Sequence, residues 1–142
     1  MTAYDDDNIF AKILRGEMPA HKIYEDDDVL AFLDIMPRGD GHTLVIPKVK
    51  ARNMLDIDPT DLGTLMARVQ HIAKGVIKAM DAEGFIIQQF NEAVGGQIVF
   101  HIHFHIIPRW EGVKLLPPAS EMADQDVLAG IAAKIKAVLD PA

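Results

Sequence analysis

Three histidines fall within five residues in the stretch Gln97-Ile98-Val99-Phe100-His101-Ile102-His103-Phe104-His105-Ile106-Ile107. Polar and apolar residues alternate strictly from His101 to Ile106, the period of a β-strand, whose successive side chains point to opposite faces. His101, His103 and His105 then share one face with Val99, and Ile98, Phe100, Ile102, Phe104 and Ile106 form the other. Imidazoles two residues apart on a strand stand roughly 6.5–7 Å apart at Cα, close enough to serve one site. A neutral imidazole is a nucleophile at neutral pH, and attack on phosphorus through one ring nitrogen requires the other to keep its proton. Flanking imidazoles can donate to phosphoryl oxygens or hand a proton to a leaving group. Just upstream, Gly95-Gly96 suits the presentation of backbone N–H groups to an anion. The same spacing also suits zinc, copper or iron, with Asp34 and His42 as further ligands. A strand whose polar face is merely histidine-rich is the third reading. The residues favour phosphorus chemistry, with metal binding second.

A chain of 142 residues is expected to form one domain, residues 1–142, with a sizeable core. The net charge of −7 argues against a nucleic-acid backbone or an anionic membrane as partner, so an anionic ligand needs donors supplied locally. The absence of cysteine excludes disulfides and cysteine zinc sites. The start, Met1 to Asp7, lacks the basic and apolar regions of a signal peptide, and no apolar run approaches membrane-spanning length; the expected location is the cytoplasm.

Elements must position the histidines. Asp7 or Asn8 can cap a short helix with Ile9, Phe10, Ile13 and Leu14 on one stripe, stopped by Gly16 and Pro19. Lys22 to Glu25, Val29 to Asp34 and His42 to Ile46 are predicted strands of an antiparallel meander, separated by Asp26-Asp27-Asp28 and by Pro37-Arg38-Gly39-Asp40-Gly41. Asp58 then caps a long helix with Pro59 at its first position and an apolar face from Leu62 to Met80, ending near Gly84. Phe85 to Asn91 is a fourth strand, the histidine stretch a fifth, and a last helix covers about residues 121–139. The expected class is α+β with an antiparallel sheet. His21 is expected in a surface loop, His71 lies off the apolar stripe of the long helix, and Asp5 to Asp7 and Asp26 to Asp28 are expected to be solvated. Trp110 could serve as core, interface or site wall.

His101-Ile102-His103-Phe104-His105-Ile106-Ile107 resembles the His-φ-His-φ-His-φ-φ motif (φ apolar) of the histidine triad family. Further segments resemble its Hint branch, the histidine triad nucleotide-binding proteins: Asn8 to Ile13, Glu17 to Ala20, Tyr24 to Asp27, Leu30 to Ile35 and Gly41 to Lys48. The likeness runs over about residues 8–110 and displaces the metal reading, so neither metal nor cofactor is expected. It implies a HIT-like fold, with a five-stranded antiparallel sheet, a long helix and shorter terminal helices, dimerising into a ten-stranded sheet.

The resemblance further implies a purine nucleotide substrate and hydrolysis of nucleoside 5′-phosphoramidates through a nucleotidyl-histidine intermediate. His103 is then the nucleophile, His101 and His105 orient it and contact the phosphoryl and leaving groups, and His42 relays a proton. Asp34 corresponds to the ribose-binding acid, and Ile9, Phe10, Ile13, Phe32, Leu33 and Ile35 to the walls of the base pocket, a role that overlaps with core packing. Asn91, Gly96 and Gln97 correspond to residues near the phosphate. Ile98 replaces the Ser or Thr common there and removes a hydroxyl from the leaving-group side, and the loop from Asn91 to His101 is about one residue short of the common spacing. The rival readings are a dinucleoside polyphosphate hydrolase of the same family and a nucleotide-binding or protein-interaction module with incidental activity.

Overall fold

The computed structural model describes residues 3–139. Five strands, β1 (Lys22–Glu25), β2 (Val29–Leu33), β3 (Thr43–Pro47), β4 (Gly84–Gln88) and β5 (Phe104–Arg109), form one sheet in the order β1-β2-β3-β5-β4. Every neighbouring pair is antiparallel. The three helices are α1 (Ile9–Leu14), α2 (Pro59–Met80) and α3 (Gln125–Leu139). The expected α+β class and five-stranded sheet are thus present, with the histidine-bearing β5 inserted between the meander and β4.

The period of two decides the layering. Val29, Ala31 and Leu33 of β2 face the same core as Val45, Ile102, Phe104 and Ile106, and this core is covered by Leu65, Val69, Ile72 and Val76 of α2 and Leu128 and Ile135 of α3. Leu30 and Phe32 face the other way and join Leu44 and Ile46 against Phe10 and Ile13 of α1. Both faces of β2 and β3 are therefore buried, which accounts for their continuous apolar runs. Leu44 pairs with His105 across the β3–β5 ladder, so His105 opens on the α1 side.

Helix ends follow their local chemistry. Asn8 caps α1 by accepting from Ala11 N, and Asp58 caps α2 by accepting from Thr60 N with Pro59 at the first position. α2 stops at Asp81, which adopts a left-handed conformation, and the indole of Trp110 donates to the carbonyls of Met80 and Asp81 there. No described helix is long and apolar enough to cross a membrane.

Several expected boundaries move. β5 begins only at Phe104, so His101 and His103 precede the regular ladder. Ile102, Phe104 and Ile106 occupy the apolar face as expected, but Phe100 lies beneath the Arg52 guanidinium (4.2 Å) and Ile98 is 68% exposed. β4 ends at Gln88 instead of Asn91, and beyond it the side-chain amides of Gln89 and Asn91 pair with each other. A short 3₁₀ turn at Ala93–Gly95 follows it. Asp26 is not simply solvated, since it accepts from Tyr24 and from Arg68 (2.7 and 2.6 Å). α3 starts at Gln125, and His21 Nε2 meets Gln125 Oε1 at its start (2.7 Å).

Candidate active site

His103 lies just before β5, against α1: the Phe10 ring stands perpendicular to its imidazole at 4.9 Å. Its Nδ1 faces the backbone carbonyl of His101 at 2.7 Å. A carbonyl can only accept, so Nδ1 carries the proton and the lone pair is on Nε2. That nitrogen has no partner among the described residues, and no buried side-chain nitrogen or oxygen lacks one, so Nε2 reaches solvent.

A second fixed tautomer sits beside it. Arg38 N donates to His42 Nδ1 (3.0 Å), which leaves the His42 proton on Nε2. From there it is donated to His105 Nδ1 at 2.9 Å, with Asp34 Oδ2 at 3.6 Å. His105 must then hold its own proton on Nε2. The His103 and His105 rings are 5.0 Å apart. The pair thus offers one bare nucleophilic nitrogen and one N–H donor side by side. Asp34 Oδ1 accepts from Met36 N, which fixes that carboxylate at the end of the relay.

Burial keeps the cluster neutral. Desolvation pushes His42 down to about 4 and His105 to about 3; Arg38 and His103 add to the shift at both, and His42 adds at His105. His101 falls to about 4 by burial, opposed by the Pro47 carbonyl. His103 is lowered by burial, opposed by the carbonyl of His101. Burial raises Asp34, partly offset by the Met36 N–H.

Asp34, His42 and His105 also lie close enough together to suggest a cation site. The donor set does not fit one. Lending the Nε2 lone pair of His42 to a cation would move its proton to Nδ1, where it would confront the Arg38 N–H. The space between the two rings is better filled by the proton they share.

The site residues expected from sequence divide by what they touch. Phe10, Ile13 and Phe32 form one apolar cluster on the His103 side, and Ile9, on the same helix, is 40% exposed. Leu33, one residue after Phe32 on a strand, points to the opposite face and is buried beneath α2 and α3. Ile35 likewise packs towards that core, and its carbonyl receives Ala123 N. His101 is held on both sides. Its ring is 1% exposed and spent at both nitrogens, with Nε2 donating to Pro47 O (2.8 Å) and Nδ1 accepting from the Tyr4 hydroxyl (2.5 Å). Its carbonyl is the acceptor for His103 Nδ1.

The loop before the histidines is tied to itself. Gln97 donates to the carbonyls of Arg52 and Val99 and accepts from Glu92 N. Asn91 accepts from Met54 N and Gln89. Gly95 N and Gln97 N donate to Glu92 O, and Gly96 N to Ala93 O, so the expected glycine amides are already used within the turn. Gly96 has φ +98 and a Cβ there would lie 3.2 Å from Phe90, which explains the glycine without an anion.

Sequence reasoning missed the Pro47 carbonyl and the Arg38 backbone N–H, because backbone partners leave no signature in residue type, and Tyr4, whose hydroxyl meets a ring 97 positions away. It also missed Arg52, which pairs with Glu92 (2.7 Å) and braces the loop from the core side.

Comparison with known proteins agrees with this geometry. The family described as HIT domain matches residues 15–112. Over 105 residues the chain is 40% identical to the adenylylsulfatase HINT3 of Arabidopsis thaliana, covering 74% of this chain but only 53% of that protein. A HIT-like protein from Bartonella henselae, whose crystal structure holds an unknown ligand, superposes with a TM-score of 0.90 at 50% identity, covering 96% of this chain and 99% of that one. A histidine triad nucleotide-binding protein from Candida albicans gives a TM-score of 0.69 at 32% identity, covering 92% and 96%. The fold, the paired tautomers of His103 and His105, and the match over most of its length lead to one conclusion: the chain belongs to the HIT domain family.

Proposed function

We propose that this HIT-family protein, of the nucleotide-binding hydrolase type, is a cytoplasmic, homodimeric purine nucleoside phosphoramidase with His103 as its nucleophile. One observation carries the reading: a solvent-reaching Nε2 lone pair on His103 beside a His105 ring whose proton is held on Nε2. His103 Nε2 attacks the phosphorus of a nucleoside 5′-phosphoramidate, forming a P–N bond to the ring as the bond to the amine breaks. The departing nitrogen leaves readily only once protonated; it takes that proton from solvent, and the neutral His105 ring hydrogen-bonds the leaving group through its Nε2–H. Water then attacks the phosphoryl-imidazole, gives up a proton to solvent, releases the nucleoside monophosphate and restores His103. His42 and Asp34 lie behind His105 and steady its proton. The apolar cluster of Phe10, Ile13 and Phe32, with Ile9, would take the purine, and the Asp34 carboxylate would accept from the ribose hydroxyls.

A specific observation favours a second kind of leaving group. The Arg38 cation acts on both His42 and His105, and an anionic leaving group beside those rings would feel the same charge. An adenylyl sulfate or a dinucleoside polyphosphate would then share the same nucleophile. Turnover of an adenosine 5′-phosphoramidate bearing a fluorogenic amine, compared with adenylyl sulfate, tests both. His103→Ala is expected to lose about 10³-fold or more in turnover while still binding AMP. Wild-type binding of AMP with no turnover above the mutant would reduce the protein to a nucleotide-binding module.

A further inference from the structure

The segment before α1 is not used by the proposed reaction, yet it reaches the triad. The Tyr4 hydroxyl donates to His101 Nδ1 at 2.5 Å, and the two rings meet edge-on with centroids 5.6 Å apart. The segment is itself tied down. Asp5 O accepts from Asn8 N (3.2 Å) and from the Asn8 side-chain amide (2.8 Å), Arg15 donates to Asp6 O (2.8 Å), and the Asp6 carboxylate meets Lys50 Nζ at 2.7 Å. Asn8, the last residue of this segment, caps the helix that lays Phe10 against His103.

We infer that Tyr4 is a positioning residue for the nucleophile, holding His101 through its hydroxyl so that the carbonyl of His101 aims the His103 ring. The inference rests on the phosphoryl-transfer reading for its kinetic consequence, but not for its structural one. The chain of bonds is continuous: Tyr4 hydroxyl to His101 Nδ1, His101 Nε2 to Pro47 O, and His103 Nδ1 to His101 O. With both nitrogens held the His101 ring is fixed, and exchange of its tautomer would cost the bond from Nε2 to the Pro47 carbonyl, which can only accept. Removing the hydroxyl leaves a buried acceptor unpartnered, and the ring regains freedom at the residue whose carbonyl fixes the nucleophile's tautomer and direction. A nucleophile misplaced by a fraction of an ångström loses rate without losing its substrate's binding contacts.

Tyr4→Phe keeps the edge-on ring and deletes only the hydroxyl, whereas Tyr4→Ala deletes both. Histidine ring resonances recorded on ¹⁵N-labelled protein report the positions of His101 and His103 without any reaction. In Tyr4→Phe the His101 Nδ1 signal is expected to move towards that of a nitrogen without a donor, and the His103 Nδ1–H signal to shift or broaden. The single-turnover rate is expected to fall about tenfold, with KM for the nucleotide within about twofold of wild type. Unchanged His103 resonances in Tyr4→Phe overturn the inference. So does a wild-type rate in Tyr4→Phe with a loss confined to Tyr4→Ala, which would make Tyr4 a packing residue only. If wild type itself turns nothing over, the phosphoryl reading fails, and the His103 resonances alone still decide whether Tyr4 holds the ring.

Discussion

A histidine attacks only through the nitrogen its neighbours leave without a proton, so the chemistry here is set by acceptors and donors one bond away from each ring. The carbonyl of His101 exposes the Nε2 lone pair of His103, and Arg38 N, acting through His42, places the proton of His105 on Nε2. The three histidines are therefore held unlike one another, and the first meets the second through its backbone carbonyl. Neutrality of the cluster has a consequence for stability. His42 and His101 titrate at about 4 and His105 at about 3 in the folded protein, below the unfolded value near 6.5. Between those limits the unfolded chain binds more protons, so the stability these rings contribute is full above about pH 6.5 and is lost as the pH falls towards 4 and 3. Urea midpoints measured from pH 7 to pH 4 are expected to fall by an amount on the order of 1 kcal/mol or more per ring. Asp34, whose carboxyl is raised by burial, acts in the opposite sense. A midpoint that is flat across this range would contradict the buried, neutral cluster. The motif told which residues gather. It did not tell their roles, because a period of two assigns faces and says nothing of which nitrogen meets a carbonyl.

At the scale of elements, the turn that delivers His42 is the most constrained part of the site. Gly41 has φ +81, and a Cβ there would come within 2.9 Å of Met80 Cγ and 3.2 Å of Pro108 Cγ. Gly41→Ala is expected to destabilise the fold by about 1–3 kcal/mol in urea titration and to lower turnover by displacing His42. Unaltered stability would show that the turn can relax. The long helix was readable in the sequence because Asp58-Pro59 marks its start and its apolar period is unbroken. The start of β5 was not, because alternation continues through His101 to His103 while the chain there has already left the ladder. The face taken by Leu33 was hidden for a related reason. A likeness that matches a run of consecutive residues cannot by itself separate two faces, whereas the strand's own alternation, applied to Phe32 and Leu33, does. The loop of Asn91 to Gln97 was legible as a turn, but its clasp by Arg52, Asn53 and Gln97 joins residues some forty positions apart.

For the whole molecule, the sheet ends at β4, whose outward residues Phe85 and Ile87 are 48% and 40% exposed. An apolar edge strand of this kind is what the proposed ten-stranded dimer would cover. Ile87→Lys is expected to halve the mass observed by sedimentation while leaving the circular dichroism spectrum unchanged; a wild-type monomer at micromolar concentration would contradict the dimer. At the other edge, α3 and the segment leading into it pack behind the site, with Leu116 N and O both bonded to Arg38 and Ala123 N to Ile35 O. That docking was outside the family likeness and had no motif to announce it. The central claim is covalent chemistry at His103, and rapid quenching tests it most directly. Wild-type protein mixed with an adenosine 5′-phosphoramidate, quenched within one turnover and digested, is expected to yield a peptide carrying an adenylyl group on His103, absent from His103→Ala. Turnover with no adduct on His103, or an adduct on His101 or His105 in its place, would contradict the account.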